Sequence, residues 1–171
     1  MKIGTPRTAS LLLAASALLL TAMVPGGPLE ARSFAGIAPA VLVAFNTFLT
    51  SLGLASFGIA YGVWRQRRWA MGAAAVCGAL YFCVYALDLG GVFPVSANAM
   101  PRALLAAELL GTALSLPLTA CALRLHQTMA PSARLTRASG PKPRLPLALG
   151  IIALGILAAG IIAFATRAAM R

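Results

Sequence analysis

The side chains able to do chemistry are few, so each can be weighed. The chain has three acids (Glu30, Asp88 and Glu108), one histidine (His126) and three cysteines (Cys77, Cys83 and Cys121). A lone histidine cannot form the pair that would hold a haem or a dinuclear metal. Cys77 and Cys83 are six residues apart on one segment, and Cys121 stands on another. With no CxxC among them, they read as small buried side chains rather than metal or redox ligands. No phosphate-binding Gly-rich loop, nucleophile elbow or HExxH motif is present. No catalytic residue, metal site or cofactor is expected, and enzymatic activity finds little support.

What remains is a set of polar residues inside apolar surroundings. Glu108 lies about six residues into an apolar stretch, roughly 9 Å deep by the rise of a helix. An ionisable residue at such depth in a membrane segment marks a functional hypothesis by default. Thr112, Ser115 and Thr119 follow it at helical spacings on one face. Tyr81, Tyr85 and Asp88 share a face of the preceding segment, Asn46 enters from an earlier one, and Arg102 stands at the mouth of the Glu108 segment. The expected site is a polar cluster of Asn46, Tyr85, Asp88, Arg102, Glu108 and Thr112, roofed by residues 90–94, with Asp88 paired to Arg102. Its chemistry would be proton or ligand binding. The structural reading takes precedence over that chemistry: Glu108 bonds its neighbours and holds helices together, and Asp88 and Arg102 are interfacial charges. Glu30, in a loop, carries no expectation.

The elements that position these residues follow from composition. Of 171 residues, 60% are hydrophobic and 10% charged. A soluble domain carries about 25% charged residues, so water is not this chain's main solvent. Backbone inside lipid must satisfy its own hydrogen bonds, which makes an all-α bundle the expected fold. Five apolar stretches, 8–24, 39–64, 69–87, 103–123 and 147–166, stand between breakers, and a span needs roughly 20 residues. The first also resembles a signal peptide, with basic Lys2 and Arg7 before a Leu/Ala run but a poor cleavage pattern after it. The expectation is therefore five spans, or four if that segment is removed. Pro117 should bend the fourth.

The net charge of +11 does not point to nucleic acid, because the basic residues sit in short clusters between apolar runs. Lys2 and Arg7, then Arg65, Arg67 and Arg68, then Arg124, Arg134, Arg137, Lys142 and Arg144 fall on one side of the expected topology; Arg32, Arg102, Arg167 and Arg171 fall on the other. Positive residues in short loops stay cytoplasmic, which predicts the N-terminus inside and the C-terminus outside. Residues 124–146 would form a flexible basic cytoplasmic loop. Anionic lipids at these basic loops, and a membrane-protein partner or a second copy of the chain, are the expected partners. Trp64 and Trp69 suit an interfacial belt. The preference for Arg over Lys, with much Ala, suggests GC-rich coding and a bacterial inner membrane.

Close helix packing in lipid favours small residues. Ala103, Ala107, Gly111, Ser115 and Thr119 make a stripe at intervals of four, reinforced by the polar residues beside it. The function expected from these features is that of a structural or accessory subunit of a larger membrane assembly. The alternative is a small oligomeric transporter or proton-coupled permease using the cluster around Glu108.

Overall fold

A computed structural model describes residues 4–24, 29–30 and 32–129, and, near the C-terminus, 158–160, 162–163 and 166–167. Within the first three ranges the chain forms four helices: α1 (Pro6–Ala22), α2 (Pro39–Trp64), α3 (Arg68–Leu89) and α4 (Arg102–Thr128). There is no strand among the described residues. Three helices, α2, α3 and α4, are long and apolar enough to cross a membrane; α1 is apolar but shorter, at 17 residues. The fifth apolar stretch, 147–166, lies mostly outside the described residues, although those described within it are helical.

Local chemistry sets the boundaries. Thr5 caps α1, its hydroxyl accepting from the Thr8 N–H at 3.1 Å, and Pro6 takes the first helical position, where a missing N–H costs nothing. Pro39 does the same for α2, while Pro101 precedes α4 as its N-cap residue. At the end of α3, Gly91 adopts a left-handed φ of 64°. The Val92 N–H then bonds the Leu87 carbonyl at 2.9 Å and the Gly91 N–H bonds that of Asp88 at 2.9 Å, so carbonyls the helix would leave open are satisfied. Gln66, with φ 54°, closes α2 in the same way, through Arg67 N–H to Gly62 and Gln66 N–H to Val63. Only Arg65, Gln66 and Arg67 separate α2 from α3.

α4 runs five residues beyond the expected limit of 123, so 124–128 are helix rather than loop. Leu125 packs on the core and His126 Nδ1 donates to the Arg68 carbonyl at 3.2 Å, so the last turn has partners to fold against. The histidine is half-buried over Gly72. The rest of the expected basic loop, 130–146, lies outside the described residues. Cys77 and Cys121 are buried; Cys83 is exposed, on the face of α3 turned away from the other helices.

The helices alternate in direction around a ring. Gly72 faces His126, Gly78 faces Thr119 and Tyr85 faces Gly111, so α3 and α4 run antiparallel in steady register. The small stripe on α4 serves this pairing through Ala107, Gly111, Ser115 and Thr119, whereas Ala103 is exposed. A methyl group at Gly111 would collide with the Tyr85 ring, and one at Gly78 with the Thr119 side chain. α1 packs mainly on α2, where the Ser10 hydroxyl donates to the Ala60 carbonyl at 2.9 Å. Between α2 and α3, the Tyr81 hydroxyl meets Ser56 Oγ at 2.9 Å in the core.

This arrangement gives the bundle two unlike ends. One gathers Arg7, Arg65, Arg67, Arg68 and Arg124, with no acid among the described residues. The other gathers all three acids of the chain.

Candidate functional site

The acid-bearing end is organised by a residue from the connection between α1 and α2. Arg32 is only 7% exposed, and it spreads its guanidinium between two carboxylates. Along one edge, Nε donates to Glu30 Oε1 at 3.0 Å and Nη2 to Glu30 Oε2 at 2.6 Å. Along the other, Nη1 donates to Asp88 Oδ1 at 2.9 Å and Nη2 to Asp88 Oδ2 at 2.7 Å. The planar fork of an arginine matches a carboxylate in this two-bond manner, and few side chains could satisfy two at once. The Arg32 backbone N–H adds a bond to Glu30 Oε1 at 2.9 Å, and the Phe34 ring lies 5.4 Å from Cζ.

Burial by itself works against the arginine's charge. The hydrogen bonds from Glu30 and Asp88, and the attraction of both carboxylates, outweigh that effect, so the guanidinium is held protonated even more firmly than usual.

Glu108 is the third acid. It is 1% exposed, with Oε1 3.8 Å from Arg32 Nη2, and neither of its oxygens accepts a hydrogen bond from a described residue. The Tyr85 hydroxyl is likewise buried with no hydrogen-bond partner among the described residues. Both residues line a cavity of about 40 Å³ together with Asn46, Glu30 and Asp88; its apolar wall includes Leu42, Phe45, Leu49 and Pro94. A water molecule needs roughly 10–15 Å³ measured this way, so the space suits a few waters rather than an organic substrate. Asn46 is buried and donates its amide N–H to Thr166 Oγ1 at 3.1 Å, leaving its carbonyl oxygen for other partners.

Of the six residues expected at the site, Asn46, Tyr85, Asp88 and Glu108 are brought to one cavity. Arg102 is exposed and forms no ion pair among the described residues; Asp88 pairs with Arg32 instead. The reason is reach and solvation, since Arg32 approaches from a buried loop and offers a full fork, whereas Arg102 begins α4 facing outward. Thr112 does not line the cavity. Its hydroxyl turns back to the Glu108 carbonyl of its own helix, at 2.8 Å.

The expected roof, residues 90–94, supplies one half of the cover. Pro94 lines the cavity, and Phe93 meets Phe45 edge-on with ring centroids 4.9 Å apart, while Gly90, Gly91 and Val92 are exposed. The other half comes from Glu30 and Phe34, for which the sequence carried no expectation. The two halves are joined where the Ser96 hydroxyl donates to the Ser33 carbonyl at 2.8 Å. A signal for the missed residues was available: Glu30 and Arg32 are an opposite-charge pair two residues apart, in a chain with so few acids that each needs a cation.

Three converging carboxyls would ordinarily invite a metal ion. Here the guanidinium occupies the position between two of them. Among the described residues no group of three His, Cys, Asp or Glu side chains is arranged to hold a metal.

No curated protein and no solved structure matches the chain. One family model does, over residues 5–138, a stretch that holds all four helices and every charged residue of the site. On that match, which covers well over half of the sequence, the chain belongs to the family described as Domain of unknown function (DUF8051).

Proposed function

We propose that the protein is a small integral membrane protein of accessory type, which assembles with a larger membrane partner or with a second copy of itself. One observation supports this reading above the others. At the acid-bearing end Arg32, Glu30 and Asp88 are committed to one another in two forks, over a cavity too small for an organic substrate. Such an arrangement fixes the shape of a surface more readily than it opens a path. The apolar, outward-facing residues of α2, α3 and α4 are consistent with lipid or protein contact along the bundle.

In the same reading the first segment is kept as a membrane helix. Ala9, Leu13 and Ala17 of α1 are wholly buried, so removing it as a signal would strip one wall from the core. Five spans then result, the fifth supported by the helical residues near Thr166 and their bond to Asn46. The arginine-bearing end faces the cytoplasm of a bacterial inner membrane under the positive-inside rule. Solubilising the full chain from its native membrane in mild detergent, after crosslinking, tests the proposal. A stoichiometric partner or a dimer is expected. A chain that stays monomeric, with nothing crosslinked to it, overturns it.

A second reading, proton-coupled transport, is favoured by Glu108: a buried carboxyl that accepts no hydrogen bond from a described residue, beside a water-sized cavity. Replacing it with Gln and with Ala separates the two roles. Proton flux in reconstituted vesicles that Glu108→Gln abolishes without loss of protein supports transport. A fully active Glu108→Gln beside a Glu108→Ala that disappears from the membrane leaves only the structural role.

A further inference from the structure

At the arginine-bearing end a groove of about 360 Å³ opens between the end of α2 and the start of α3, lined by Gly58, Tyr61, Gly62, Arg65, Arg67 and Trp69. Its chemistry is divided along its length. Arg65 and Arg67 stand at the helix ends and are exposed, with no carboxylate near them among the described residues. Tyr61 and Trp69, 67% and 62% exposed, flank it; Gly58 leaves α2 bare on this face, while Gly62 lies buried where Ala70 and the Trp69 ring of α3 close against the helix. From cationic mouth to apolar floor, this is the order in which a phospholipid presents its phosphate, its glycerol region and the start of its acyl chains.

We infer that this groove is a binding site for one anionic phospholipid, its phosphate held by Arg65 and Arg67 and its upper chain laid over Gly58 between Tyr61 and Trp69. The inference rests on the reading that the helices span a bilayer. Charge complementarity identifies the occupant. Arg7, Arg68 and Arg124 surround the same end of the bundle, and no described acid there competes for the two arginines. An arginine fork suits phosphate, and basic pockets between membrane helices select anionic headgroups. α3 also starts here with no capping side chain and no acid in its first turn, which adds the positive end of its dipole. The turn that spaces the arginines is fixed by the left-handed Gln66, so the site is set by backbone rather than by loose side chains. Trp64 is not part of it; Arg7 Cζ lies 5.7 Å from that ring.

The two tryptophans make the test direct. In Trp64→Phe protein, Trp69 is the sole indole and reports on lipid in the groove. The full chain is reconstituted into phosphatidylcholine vesicles containing graded amounts of brominated phosphatidylglycerol or, separately, brominated phosphatidylcholine. Phosphatidylglycerol is expected to quench Trp69 at a mole fraction roughly thirtyfold lower, from two arginines near a membrane surface. Arg65→Gln with Arg67→Gln should abolish that preference, while Arg7→Gln with Arg124→Gln, the same charge removed from elsewhere on that end, should leave it. Equal quenching by the two lipids overturns the inference, as does an equal loss of preference in both double variants, which would mean surface attraction only. Flotation of the vesicles checks the underlying reading separately. Protein that floats but shows no preference refutes the groove alone, and protein that does not float refutes both.

Discussion

The two ends of the bundle use arginine in opposite ways. At one end a single guanidinium, Arg32, is buried and shared between Glu30 and Asp88, and it joins the α1–α2 connection to the end of α3. At the other, Arg7, Arg65, Arg67 and Arg124 meet no carboxylate among the described residues, and Arg65, Arg67 and Arg124 are exposed. The lesson is that the number of charges at an end says little about what they hold together. A buried charge is bound to its partners because leaving one alone is costly, whereas an exposed one is satisfied by water or headgroups and remains free to bind something else.

This contrast can be broken in a defined order. The largest effect should come from Arg32→Met, which leaves Glu30 and Asp88 buried without their cation. Uncoupling a buried pair costs about 3–5 kcal/mol, so the detergent-solubilised variant should unfold at markedly lower temperature or denaturant than the parent. An unchanged midpoint would mean that the acid-bearing end is not held by this charge. Gly111→Ala comes next. Its methyl would press on the Tyr85 ring, and overpacking costs typically about 1–3 kcal/mol; adding Tyr85→Leu should recover part of the loss if the clash is the cause. The smallest effect belongs to Arg67→Gln, at an exposed position whose side chain forms no ion pair among the described residues. A change within about 0.5 kcal/mol is expected, and a larger one in the same unfolding measurement would show that the arginine-bearing end is also structural.

Much of the bundle was legible in the sequence because apolar length and breakers have local causes. The limits of α2 coincide with expectation, and the α4 stripe from Ala107 to Thr119 could be read as a packing face because its spacing is set by helix geometry alone. The end of α4 was not legible, since its last turn forms on contacts with Arg68 and Gly72 that are more than fifty residues away. The site divided the same way. Asn46, Tyr85, Asp88 and Glu108 were found because each sits at a readable depth on a helix. Arg32 and Glu30 were missed because they lie in an irregular connection, where periodicity gives no depth. Arg102 was chosen for its nearness to Asp88 along the chain, but exposure decided against it.

The extent of pairing between helices has a mechanical consequence. α1 lies chiefly with α2, and α3 chiefly with α4. The four described helices thus form two hairpins, joined along the chain by Arg65, Gln66 and Arg67 at one end and fastened at the other by Arg32 gripping Asp88, beside the Ser96–Ser33 bond. Three residues serve as the hinge pin and one guanidinium as the clasp. A spreading of the two hairpins about that turn would strain the Arg32–Asp88 fork first, and the water-sized space around Glu108 lies just behind it.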